Sequence, residues 1–299
     1  MDRITTLGNF TAMRDTIAAS QERLFTAQDQ IATGVRFDRS SEAPSDAAAY
    51  LRNQRSLDRL SQLSRNSSNA RLWLDTTDTA LSDAVDSTTR ARTLGVQGAN
   101  DVNSPEARSA IAANLRSIAD EMITLSNTVV NGRPIFAGTA DTAMAYDAAG
   151  NYLGDTGQVV RAVTPNDAFV VAANGPGVFG VPNGADPYNG TAFQAINELA
   201  DAVEAGDVAR IRTGIEAMDA TTSRIQAETG RVGGLAARLD EIDARNQDSR
   251  ISTQSQISDV RDVDMAEAIL RLKSAETSYE ATLSAAGRSL SRSLLDFLR

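Results

Sequence analysis

The sequence contains no cysteine and no histidine. The first absence excludes a disulfide framework and a thiolate metal site. The second removes the commonest general base and the commonest metal ligand. Aromatic residues make up only 5% of the chain, and Lys273 is its single lysine. No apolar run approaches the roughly 18–20 residues that a membrane span requires. The opening Met1-Asp2-Arg3-Ile4 lacks the basic-then-apolar order of a cleaved signal peptide. A formal net charge of -10 opposes binding to nucleic acid, whose phosphates call for a basic stripe. The chain therefore reads as a non-enzyme with no catalytic residues, no cofactor and no metal.

What is present points to helices. Of the 299 residues, 41% are hydrophobic, and these are mostly Ala, Leu, Ile and Val. That mixture suits thin helical layers. Phe10, Ile17, Leu24 and Ile31 recur every seven residues, with Met13 and Ala27 between them, and the run stops at Gly34. This is the period of a coiled-coil seam. Pro44-Ser45-Asp46 reads as a helix start. Nothing breaks that helix until about Gly95, which predicts a rod of ~50 residues, roughly 75 Å long.

Ser104-Pro105-Glu106 opens a further helix through Ile111, Leu115, Ile118, Met122, Leu125 and Val129, and Asn131-Gly132 is expected to close it. From about residue 136 to 190, glycine and Asn-Gly pairs flank two β-prone runs, 158–163 and 168–171, which predicts β-hairpins. Helical periodicity returns after Gly206, with Asp207 as cap and an apolar row from Val208 through Ile211, Met218, Ile225, Val232 and Leu239 to Ile242. The last stretch has its own heptad at Ile269, Glu276, Leu283, Leu290 and Phe297, accompanied by Leu272, Tyr279 and Ala286.

The predicted fold is mainly α. It is an elongated antiparallel helical bundle or coiled coil formed by the N- and C-terminal halves, with a small β-rich insert that projects outward. The expected divisions are 1–45 with 255–299 as a terminal helical assembly domain, 46–135 with 191–254 as a central bundle, and 136–190 as the insert. The terminal stripes are thinly hydrophobic, and helix pairs that narrow are marginal alone. Burial against neighbouring subunits would stabilise them. The candidate assembly residues are Phe10, Ile17, Leu24, Ile31, Leu283, Leu290, Leu294 and Phe297.

Two other constellations carry bland readings. Asp259, Asp262, Asp264 and Glu267 could be drawn as a divalent-metal site, yet acids at a helix start complement its dipole. Gly230-Arg231-Val232-Gly233-Gly234 resembles a phosphate loop, but no strand precedes it, so a close helix approach or a bend is expected.

Several segments together resemble the flagellin family. They are 30–37 (Gln-Ile-Ala-Thr-Gly-Val-Arg-Phe), 45–49, Leu63-Ser64-Arg65-Asn66, Asp78-Thr79-Ala80-Leu81 and 131–138. At the other end are 262–268 and Ser293-Leu294-Leu295-Asp296-Phe297-Leu298. The insert segment Tyr146 to Tyr152, Gly177-Val178-Phe179 and the stretch Ala227 to Leu235 are similar to members that join hook to filament. The resemblance implies an extracellular structural subunit of the bacterial flagellum, exported through the type III apparatus without a cleaved signal. It also implies a ring of identical copies, a junction protein on the hook side, flagellin on the filament side and an export chaperone. Neither nucleic acid nor membrane is an expected partner. The alternative within the family is flagellin itself, the bulk filament subunit.

Overall fold

A computed structural model describes residues 2–100, 103–165 and 168–297, with side chains from residue 10 to residue 288 of that set. Three helices come first: α1 (Asp2–Thr33), α2 (Pro44–Gly98) and α3 (Pro105–Ser126). Four short strands follow: β1 (Val129–Val130), β2 (Arg133–Pro134), β3 (Val160–Ala162) and β4 (Ala168–Val170). The short α4 (Gly175–Phe179) then leads to α5 (Ala192–Ala205), α6 (Val208–Arg261) and α7 (Met265–Phe297). The chain is mainly α, and it divides into two compact units, 1–59 with 249–299 and 60–248.

Local chemistry sets the helix ends. Ser104 accepts the Ala107 N–H at 3.2 Å, with Pro105 in the first turn of α3. Thr191 and Gln194 form a reciprocal capping box at the start of α5. Gly206, left-handed at φ 73, ends α5, and Asp207 accepts from Ala209 and Arg210 to open α6. The sequence expectation fails at Asn131-Gly132. Helix α3 ends earlier, at Ser126, and the Asn-Gly pair turns a hairpin in which Val130 faces Arg133. Both turn residues are left-handed (φ 51 and 78), the twist that suits a two-residue hairpin loop. The hairpin expected from the sequence is β3–β4, with Arg161 opposite Phe169.

Within residues 60–248, four helices run side by side. Arg71 pairs with Asp240, and Arg92 with Asp219 at 2.6 Å, so numbers rise on α2 as they fall on α6. Arg90 grips both oxygens of Glu121 on α3 at 2.7 Å, and Arg116 reaches Asp201 and Glu204 of α5 at 2.7 and 2.6 Å. These pairs are exposed and mark register more than they stabilise. Stability comes from the apolar interior. Helix α6 buries Ile211, Met218, Ile225, Val232 and Leu239, one every seven residues. Leu74, Leu81, Leu115, Met122, Ile196 and Leu199 meet them in one core.

The 136–190 segment shares that core rather than standing off as its own body. Its scarce aromatics are gathered: Tyr146 packs against Phe179, Tyr152 and Phe193, with ring centroids 5.9, 5.1 and 5.1 Å away. Edge-on pairs of this kind add stability beyond area burial. The Tyr146 hydroxyl donates to the Gly180 carbonyl, and Asn127 brackets its backbone from the end of α3.

A second seven-residue row on α6 holds the segment down. Arg224 donates to the Val178 carbonyl at 3.0 Å, Arg231 to Ala172 at 2.8 Å, and Arg238 lies 5.9 Å from the Phe169 ring. One position beyond the row, Asn246 donates to the Val163 carbonyl. From α2, Asn66 takes the Ala162 carbonyl, and Trp73 lies beneath Arg161.

Removing one clasp tests this arrangement. Arg231→Ala should cost about 1–2 kcal/mol in urea unfolding, because it frees the Ala172 carbonyl and leaves Glu228 unpaired. Arg245→Ala, which breaks an exposed ion pair with Glu241, should change stability by less than about 0.5 kcal/mol. Equal effects would contradict a clasp.

Burial also pushes Tyr152 and Tyr188 up to about 12, from an ordinary value of 10.0. Because their folded values are raised, the neutral phenols stabilise the fold below the ordinary value, and the contribution is lost as pH climbs toward about 12. Burial raises Tyr146 further still, so alkaline titration should show three phenolates forming late, Tyr146 last, together with a fall in the unfolding midpoint.

Candidate functional site

The unit of residues 1–59 with 249–299 is built differently. Helices α1 and α7 pack against each other. Their loops are stitched by backbone bonds: Arg36 N–H to Arg261 at 2.6 Å and Val263 N–H to Gly34 at 3.0 Å. The bridge is antiparallel, Val35 to Asp262. Gly34, left-handed at φ 73, stops α1 in position for it. Asp264 accepts from the N–H groups of Ala266 and Glu267 and so caps α7. Arg261 lies 4.5 Å from the Tyr50 ring centroid and donates to its hydroxyl, while Arg36 pairs with Asp46.

The seam itself has an alternating four-three spacing on both helices. On α1 it is Met13, Ile17, Ser20, Leu24, Ala27 and Ile31; on α7 it is Ala268, Leu272, Ala275, Tyr279, Thr282 and Ala286. Only Ser20, Ala27, Ala268 and Ala286 are buried, and the rest are half-buried. The Ser20 and Thr282 hydroxyls meet at 3.4 Å, placing a polar layer where a coiled coil usually has an apolar one. A seam of alanine, serine and threonine brings the backbones close but removes little apolar area from water.

Of the residues singled out from the sequence, Ile17, Leu24 and Ile31 lie in this seam. Phe10 continues the spacing of the α1 row but is 55% exposed. On α7 the accompanying row of Leu272, Tyr279 and Ala286 faces α1, whereas the main heptad row turns away from it, with Ile269 and Leu283 55% and 43% exposed. Leu290, Leu294 and Phe297 fall on α7, and their side chains lie outside the described residues. Sequence reasoning missed Phe25 and Leu270, which are also exposed, because they fall outside the heptad rows used to find the others.

The asymmetry between the units is large. Every one of the twelve largest fully buried side chains lies within residues 60–248. The other unit buries Phe37 and Ile257 as its only large apolar groups among the described residues, and it exposes eight: Phe10, Phe25, Leu51, Ile251, Met265, Ile269, Leu270 and Leu283.

The acidic cluster has separate duties. Asp262 accepts from Ser258, Asp264 caps α7, and Glu267 pairs with Arg271 at 2.6 Å. Among the described residues no group of three or more carboxylates is placed to hold a metal ion.

Comparison with known proteins agrees with this layout. Residues 4–141 match the bacterial flagellin N-terminal helical region, and residues 215–298 match the bacterial flagellin C-terminal helical region. The chain is 24% identical over 299 residues to the flagellar hook-associated protein 3 of Escherichia coli, across 92% of this chain and 94% of that protein. A flagellin of Clostridium tyrobutyricum is 28% identical over 102 residues, only 34% of this chain and 27% of its own length. Among solved structures, the flagellar junction protein of Legionella pneumophila superposes with a TM-score of 0.58 at 13% identity, over 71% of this chain and 99% of that one. With both helical regions present in order, one toward each end, the chain belongs to the bacterial flagellin family.

Proposed function

We propose that this chain is a structural subunit of the bacterial flagellum that joins the hook to the filament, assembling into a ring through its terminal helices. The observation that carries the reading is the contrast between the two units. One holds a complete core; the other holds a thin, partly polar seam and displays Phe10, Phe25, Ile269, Leu270 and Leu283. Each of those side chains is already partly covered, so burying the rest against a neighbour would contribute about 1 kcal/mol apiece. Copies of the same chain, arranged side by side, supply such neighbours. In this reading residues 1–45 with 255–299 are the assembly module, and Phe10, Ile17, Leu24, Ile31, Leu283, Leu290, Leu294 and Phe297 are its contacts.

The partners follow from the position. A hook-side junction protein lies on one face of the ring, flagellin lies on the other, and the chain works outside the cell with no catalytic role. It travels through the type III export apparatus without a cleaved signal, accompanied by a chaperone. The match to hook-associated protein 3 spans nearly the whole chain, whereas the match to a flagellin spans about a third of it, which favours a junction subunit over a bulk filament subunit.

Leu283→Asp tests the module directly. The variant monomer should melt as the native chain does, because Leu283 is outside the α1–α7 seam, yet it should fail to support filament growth in cells. Normal filaments would refute the contact assignment. Deleting the gene and viewing the cell surface by electron microscopy tests the position. Hooks without filaments, with flagellin released to the medium, are expected, whereas filaments that persist would overturn the junction reading.

A further inference from the structure

Glycine inside a helix is costly, by about 1 kcal/mol relative to alanine, so each instance calls for a reason. In residues 60–248 three glycines of the long helices have one. A Cβ at Gly98 would meet Val203 at 2.6 Å, at Gly95 it would meet Leu199 at 3.1 Å, and at Gly214 it would meet Leu199 at 2.8 Å. Helix α6 also contains Gly230, Gly233 and Gly234, three glycines within five residues, and a Cβ at any of them would meet nothing within 4 Å. All three are exposed, and none has the positive φ that would require glycine. The close helix approach expected from the sequence is therefore absent within the chain.

From this we infer that residues 230–234 are a built-in weak turn at which α6 opens first. The placement fits such a device. The fully buried Ile225 and Leu239 anchor α6 on either side, and between them only Val232 is deeply buried. Arg224 and Arg238, which hold the 169–178 segment, lie outside the weak turn, and Arg231 is the one clasp inside it. Opening this turn would uncover one core side chain, Val232, and release one clasp, Arg231, while Ile225 and Leu239 stay in place. The penalty of three glycines is concentrated in one stretch of the helix instead of being spread along it. The inference rests on packing alone and does not depend on the flagellar reading.

Hydrogen exchange on the full chain, followed by mass spectrometry of short peptides, tests it. Amides of 229–236 should exchange faster than those of 216–226 and 237–244 on the same helix. In the variant carrying Gly230→Ala, Gly233→Ala and Gly234→Ala, opening should fall by roughly a hundredfold, about fivefold per site, and the unfolding midpoint should rise. Gly214→Ala should lower the midpoint, since its Cβ has no room. Uniform exchange along α6 would overturn the inference. So would a triple-alanine variant that exchanges as fast as the native chain or is less stable than it.

Discussion

The architecture of residues 60–248 depends on two parallel rows of α6, each repeating every seven residues. One row, Ile211 to Leu239, is apolar and closes the helical layer. The other, Arg224, Arg231 and Arg238, faces a different way and takes backbone carbonyls and a ring from the 169–178 segment. Neither row would suffice alone. Four helices of alanine and leucine make a thin layer, and a segment with two-stranded sheets is marginal in water. Joined through α6, the two halves share one interior in which Tyr146, Phe136 and Phe179 of the segment pack with Phe193 of α5. Guanidinium groups suit this task because they keep their charge in water while donating several bonds from a fixed fork.

The unit formed by residues 1–59 and 249–299 obeys the same period with the opposite outcome. Its seam is regular, but alanine, serine and threonine occupy its deepest positions. Such a seam aligns two helices without supplying much hydrophobic free energy. The larger apolar residues, among them Ile269, Leu270 and Leu283, are placed off the seam and left in contact with water. A chain arranged in this way gains stability by acquiring neighbours, which connects the packing to the proposed assembly role. The carboxylates at the start of α7 serve the helix: Asp264 caps it and Glu267 pairs with Arg271.

Much of this was legible in the sequence because helices announce themselves through period and caps. Ser104-Pro105, Asp207 and the Ile211 to Leu239 row each specify their own geometry through interactions a few residues apart. The hairpin strands were legible for the same reason. The seven-residue spacing of Arg224, Arg231 and Arg238 was also present to be read, yet spacing does not reveal what a charged side chain will meet. Asn131-Gly132 was misplaced because the pair suits a helix end as well as a hairpin, and the choice belongs to Val130 and Arg133 pairing across it.

By itself, then, the sequence determined the helical class, the caps at Ser104 and Asp207, the β3–β4 strands and the apolar row of α6, all of which arise from local hydrogen bonds and side-chain spacing. Only the tertiary structure decided which heptad row faces its partner. On α7 two rows compete, Leu272 with Tyr279 and Ile269 with Leu283, and the first lies against α1. That choice goes with the bridge between Val35 and Asp262, which ties the loops at this end of both helices in the folded chain. It leaves the apolar row Ile269 and Leu283 facing water, where the proposed assembly contacts lie.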